Sequence, residues 1–134
     1  MRKYYLFLIK QNSKEIYLKN NLVLYQTLFN LYKLKLDDCR IGISIFNQIC
    51  DIFNKEIIIN YMKDKYNLKI KDKYLLTNTK ENILIKLNHS CVIIITDCNI
   101  PNILKTLYLY SKNIFVVDFQ NEDYFWLSRE TFKK

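Results

Sequence analysis

The one nucleophile–base pairing that the sequence offers is Cys91 with His89. Two residues apart on a strand, their side chains share a face. A thiol beside an imidazole is the starting point of nucleophilic catalysis. That chemistry also needs a third group to orient the base, and no acid is adjacent. The plainer reading is a buried thiol, Cys91, beside a surface histidine. The remaining cysteines, Cys39, Cys50 and Cys98, form no C-x-x-C pair, and a lone histidine cannot complete a zinc set. Four reduced thiols are expected, with no metal and no cofactor. Asp118 ends an apolar run, a position where acids often do chemistry in α/β sheets. The expectation preferred here is a carboxylate that bonds the backbone of its own turn. A phosphate-cradling loop is excluded, because Gly42 is the sole glycine. The chain does not read as an enzyme.

Charge gives a second lead. A formal net charge of +8 invites a nucleic-acid partner, and the lysine face of residues 63–73 would be its contact. The composition supplies another explanation. Alanine is absent, Gly42 and Pro101 are single, and lysine, asparagine, isoleucine and tyrosine dominate. These residues have A/T-rich codons, which points to an A/T-rich genome, such as that of a low-GC Gram-positive bacterium. Lysine is then favoured over arginine by codon use alone. Only Arg2, Arg40 and Arg129 could read guanine edges bidentately. Direct nucleic-acid binding is therefore the alternative and not the leading reading.

At 134 residues the chain is expected to form one domain, 1–134, with a core that needs no disulfide or metal. Residues 2–10, RKYYLFLIK, alternate with apolar side chains on both faces, which predicts a central strand covered on both sides. The start is basic, but its apolar stretch is short and no cleavage site follows, so no signal peptide is read. No run is long enough to cross a membrane, and a cytoplasmic protein is expected. QNSKE reads as a loop. Leu18, Leu22, Tyr25, Phe29 and Tyr32 predict a helix over 16–32, with Leu24, Leu28 and Leu31 broadening its stripe. Asp37-Asp38 suit the start of a second helix with Ile41, Ile45, Ile49, Ile52 and Phe53 inside. A break at Asn54-Lys55 would separate a third helical piece to Tyr66, with Ile58, Ile59 and Met62 inside.

The second half changes period. Leu68 and Ile70 alternate with Lys69, Lys71 and Lys73, a half-buried strand with a lysine face. TNTKEN reads as a turn. Residues 82–88 and 91–96 form a hairpin about His89-Ser90. Asp97 or Asn99 would cap a helix with Pro101 in its first turn and Ile100, Ile103, Leu104, Leu107 and Tyr108 inside. Residues 113–119 are expected to be the last strand. The fold class expected is α+β, a mixed or antiparallel sheet of about five strands packed with three to four helices. Four polar residues, 120–123, then lead to Tyr124, Phe125 and Trp126. A frayed terminus has no use for such surface, so either the protein's own core or a partner must cover it, and the reading preferred here is that these rings fold back over one face of the core.

The two ends of the chain together resemble the SirA family, sporulation inhibitors of replication from endospore-forming Gram-positive bacteria. Tyr4, Tyr5, Phe7, Leu8, Ile9 and Lys10 match its opening "YY-x-[YF]-L-I-K" strand. Asp118, Phe119, Tyr124, Trp126 and Leu127 match its closing "D-F-x(4)-Y-x-W-L". The similarity runs from about residue 2 to 34 and from about 99 to 130. It implies neighbouring first and last strands, and a non-enzymatic inhibitor, expected to be a monomer before complex formation, that binds the N-terminal domain of the replication initiator DnaA. Carried over position by position, the family's contact surface falls on Tyr17 and Leu18 with Ser13 beside them, and on Asn47 or Gln48 of the second helix. Ser13 stands where the family has an aromatic contact, and Phe125 where a glycine is common. Tyr17 and Gln48 both lie off the apolar stripes of their helices, consistent with outward-facing side chains.

Overall fold

The structure, a computed structural model, describes residues 1–33, 40–66, 69–72, 75–78, 82–88, 91–99 and 101–128. Its centre is β1, Arg2–Ile9. Along one edge β1 pairs with β7, Ile114–Asp118, in a register that sets Tyr5 opposite Val117 and Leu8 opposite Ile114. Along the other it pairs with β6, Val92–Thr96, from Arg2 opposite Thr96 to Leu6 opposite Val92. A two-residue strand, β2, Cys50–Asp51, continues that edge beside Leu8 and Ile9. The sheet extends through β5, Ile83–Leu87, and β4, Leu75–Asn78, to β3, Lys69–Asp72, at one edge. At the other edge β8, Asp123–Trp126, pairs with β7. Every pairing is antiparallel.

Five helices accompany it: α1, Gln11–Tyr17; α2, Asn21–Lys33; α3, Arg40–Ile49; α4, Lys55–Tyr66; and α5, Ile103–Tyr110. The double-faced pattern of β1 is used as its alternation requires. Tyr4 and Leu6 enter one core with Ile58 and Met62 of α4 and Leu104 and Leu107 of α5. Tyr5, Phe7 and Ile9 enter the other with Leu24 and Leu28 of α2 and Phe46 and Ile49 of α3. The fold is thus α+β with an antiparallel sheet between two helical layers. The described residues hold eight strands and five helices, more than the about five and three to four expected.

Several local expectations are corrected. QNSKE is helix α1, not a loop. Its composition is polar because most of it faces water; Ser13 alone is buried. The period from Leu18 to Tyr32 runs across a break at residues 18–20, so it mixes two helices. Within α2 the buried set is Leu24, Tyr25, Leu28 and Leu31, while Leu18, Leu22 and Tyr32 are 53%, 51% and 46% exposed. On α3, Phe46 and Ile49 are inside and Ile45 is exposed. The chain leaves the helix there because Cys50 and Asp51 are taken into the sheet, and Ile52 is exposed beyond them. The break at Asn54-Lys55 is where α4 starts, with the Asn54 side chain accepting the Ile57 N–H at 3.2 Å. TNTKEN loses its first two residues to β4, a strand set by pairing Leu76 with Ile85.

Neither Asp97 nor Asn99 caps α5. Asn102 holds that position, and its side chain makes no capping bond to the helix. Asp97 instead accepts from the Asn82 amide, and Asn99 accepts from Arg2 at 2.7 Å. The tail rings fold back as expected, but as a strand: Tyr124 and Trp126 join the α2 side and Phe125 joins the α4–α5 side. The start at Asp37-Asp38, Cys39, the His89-Ser90 turn, Ile100 and Lys73 lie outside the described residues.

Candidate functional site

The positions singled out in the sequence fall where α1, α2 and α3 meet. The Lys10 N–H donates to the Ile49 carbonyl at 2.8 Å, and the Ser13 hydroxyl donates to the Gln48 carbonyl at 3.3 Å. These two bonds clamp the first turn of α1 to the last turn of α3. Ser13 is 7% exposed, so its role is internal and it cannot present its side chain to a partner. This corrects its expected place on the contact surface. Tyr17 lies one turn further along the same face of α1 and is half-buried against the aromatic core. Its carbonyl accepts the Asn20 N–H at 2.8 Å, which closes α1 and starts the turn into α2. Leu18, at that turn, points outward. Asn47 and Gln48 are exposed on α3.

The turn also displays side chains that periodicity had not flagged. Ile16 is 71% exposed, Leu22 51% and Val23 42%, next to Leu18 at 53%. Singly, exposed apolar residues carry no message. Four within residues 16–23 make a patch, and each half-exposed leucine forgoes about 1 kcal/mol of burial. Sequence reasoning missed Ile16 and Val23 and placed Leu22 in the core. Only the break between α1 and α2 reverses that, and no residue type at 18–20 announces it.

Behind the patch stands Trp126. Its ring meets Phe115 edge-on at 5.0 Å, and its indole N–H donates to Asn21 of α2 at 2.8 Å. The Lys14 ammonium lies 5.4 Å from the ring centre and donates to the Lys112 carbonyl at 2.8 Å. Burial, with Lys112 nearby, holds the Lys14 pKa below the usual lysine value. Trp126 therefore braces the α1–α2 corner from inside, in line with its reading as a core residue.

A second cluster ties the chain ends together. Asp118 is 1% exposed and takes Arg2 Nε at 3.1 Å, the Asn121 N–H at 3.2 Å and the Asn121 amide at 2.7 Å. The backbone bond is the turn-forming role expected of it. Arg2 also reaches Asp123 at 3.2 Å, and its guanidinium lies 5.0 Å from the Tyr4 ring. Burial alone would raise the Asp118 pKa; the bonds from Asn121 and Arg2 outweigh it and hold the carboxyl below its ordinary range. Next to it, Phe119 is ringed by Tyr32 at 4.4 Å, Tyr5 at 5.1 Å, Phe29 at 5.8 Å, Tyr25 at 6.1 Å and Phe7 at 6.3 Å. The two motifs that carry the family resemblance thus meet on adjacent strands, β1 and β7. Tyr4, Tyr5, Phe7, Ile9, Asp118, Phe119 and Leu127 are all buried, so what they specify is the fold.

No family model matches the chain, and no curated protein matches it.

For chemistry the site offers little. Cys91 is buried, and its expected partner His89 lies outside the described residues. Burial, then the neighbouring Asp51, pushes the Cys50 thiol far above its usual range, which keeps it protonated and unreactive. Among the described residues no group of three His, Cys, Asp or Glu could hold a metal ion, and no helix is long and apolar enough to cross a membrane. Of the lysine face at 63–73, only Lys63 has a described side chain, and it is exposed.

Proposed function

We propose that this chain is a non-enzymatic inhibitor of DNA replication initiation that binds the N-terminal domain of DnaA, in the cytoplasm of an endospore-forming bacterium. The observation that carries the reading is the apolar corner of Ile16, Leu18, Leu22 and Val23 beside Tyr17. Within that corner the SirA resemblance assigns Tyr17 and Leu18 to contact, and the Ser13–Gln48 clamp ties α1 to α3, which carries Asn47 and Gln48. Exposed apolar groups in a polar rim are what a protein partner covers, and half-buried tyrosine is a common anchor. The contact set on this reading is Tyr17, Leu18, Asn47 and Gln48, extended by Ile16 and Leu22, with Ser13 holding the two helices together.

Calorimetric titration of the chain with the N-terminal DnaA domain of the same organism tests this. We expect a Kd of about 1 μM or below. Leu18→Ser combined with Gln48→Ala should weaken it at least about tenfold while the thermal transition stays in place. Absence of binding by the wild type would sink the reading. If nucleic acid bound instead, with affinity falling steeply as salt rises, the basic-module alternative would take its place.

A further inference from the structure

An open cavity of ≈ 370 Å³ lies between α2 and the β7–β8 turn, lined by Tyr25, Gln26, Phe29, Asn30 and Glu122. It plays no part in the reading above. We propose that it is a binding site for the guanidinium of an arginine side chain presented on a polypeptide.

The walls supply the first argument. The Tyr25 and Phe29 rings stand 5.9 Å apart at 49°, forming an aromatic corner. Both are held from behind: Tyr25 stacks on Tyr124 at 4.7 Å and 20°, and Phe29 meets Phe119 at 5.8 Å. A corner fixed in this way costs little ordering when a guest arrives. Ring faces attract cations, and the protein already uses Phe29 so: Lys33 lies 4.6 Å from its centre without lining the cavity.

Charge supplies the second. Glu122 is the one charged residue of the lining, on a chain of net charge +8. Among the described residues it makes no ion pair; Arg2 serves Asp118 and Asp123 instead. Both Glu122 and Tyr25 line the cavity, and after burial Glu122 is the next cause that raises the Tyr25 pKa. A planar guanidinium can stack on a ring while its N–H fork meets a carboxylate, and Gln26 and Asn30 offer further acceptors. An ammonium matches only the charge. The lining holds no cation to receive the α-carboxylate of free arginine, and an arginine within a peptide carries no such charge.

The backbone supplies a control for the test. Glu122 has φ 53°, the left-handed region where glycine and asparagine are the comfortable residues.

The test is an amide-resolved NMR titration with Nα-acetyl-arginine amide, its citrulline counterpart, the capped lysine and free arginine. We expect saturable shifts confined to residues 25–30 and 120–124, with a Kd of about 1 mM. Citrulline should bind at least about tenfold more weakly, with lysine between. Glu122→Gln should lose about tenfold in affinity. Glu122→Asn suits the left-handed backbone better, so its Tm should rise while binding falls, which separates lost recognition from lost folding. No saturation, equal affinity for citrulline, or an unaffected Glu122→Gln variant would overturn the site. Free arginine binding more tightly than the capped form would overturn the peptide assignment.

Discussion

On one face of the sheet, α4 and α5 bury Ile58, Met62, Ile103 and Leu104 against Leu76, Ile85 and Ile94, an aliphatic core. On the other, α2 and α3 bury Phe46 and Tyr25 against Tyr5, Phe7, Phe115 and Phe119, a core much richer in rings. Aliphatic packing is nondirectional and needs only volume. Rings add preferred angles, and tyrosine and tryptophan keep a polar end that can reach water. The aromatic face can therefore be core and surface at once. Tyr32 is 46% exposed while it stacks on Phe119, and Tyr17 and Trp126 are half-buried. Both candidate sites, the α1–α2 corner and the Tyr25–Phe29 cavity, lie on that side.

The largest test of the contrast is Phe119→Ala. The ring touches five others, so truncation leaves a cavity that no single neighbour can fill. We expect a loss of about 3–5 kcal/mol in urea unfolding. A loss near 1 kcal/mol would mean that the rings carry function without holding the face together.

Asp118→Asn comes next. It removes the charge that Arg2 meets at 3.1 Å while keeping the shape, and about 2–3 kcal/mol should be lost. The pH dependence follows from the lowered folded pKa. Above the unfolded value of about 3.9 the stabilisation is fully present, and it drains away as pH falls through the folded value. The wild-type and variant stability curves should therefore converge in acid. Parallel curves below about pH 4 would show that the ion pair is not what Asp118 contributes.

How far the sequence disclosed this arrangement depends on the range of the forces. Alternation in β1 is local, and it announced a strand covered on both faces. That β1 and β7 are neighbours was expected from the resemblance at the two ends of the chain; that they run antiparallel was not legible there. β4 and β2 were hidden, because each is a strand only through its partner: Leu76 beside Ile85, Cys50 beside Ile9. The α2 stripe was misread because the break at 18–20 resets the helical phase. That same break decides the candidate site, since it turns Leu18 and Leu22 outward. Ser13 illustrates the converse: a small polar residue in a polar stretch gave no sign that it would be buried under Gln48.

The exposed corner should separate binding from folding. Leu18→Ser and Leu22→Ser replace side chains that are half in water, so each should move stability by no more than about 0.5 kcal/mol. Affinity for the DnaA domain should drop in both. A comparable change in the aliphatic core, Leu104→Ser, buries an unsatisfied hydroxyl at a site that is 0% exposed and should unfold much of the protein at 37 °C. If the corner variants were as destabilised as that, the patch would be structural and the interface reading would lose its support.

The smallest effect is expected on the aliphatic face itself, at Thr106 of α5. It is 1% exposed, and among the described residues its hydroxyl has no hydrogen-bond partner. A buried donor left unpaired costs about 1–3 kcal/mol, and valine has the same shape without the hydroxyl. Helix propensity barely distinguishes the two residues. Thr106→Val should therefore stabilise the protein by about 1 kcal/mol, a rise of roughly 3–5 °C in Tm by calorimetry. On the aromatic face the polar ends have partners, as when Trp126 donates to Asn21, so removing one there should destabilise. Should Thr106→Val instead lower Tm, the hydroxyl is satisfied in solution. The aliphatic face would then rely on polar pairing as the aromatic face does, and the contrast between them would rest on ring geometry alone.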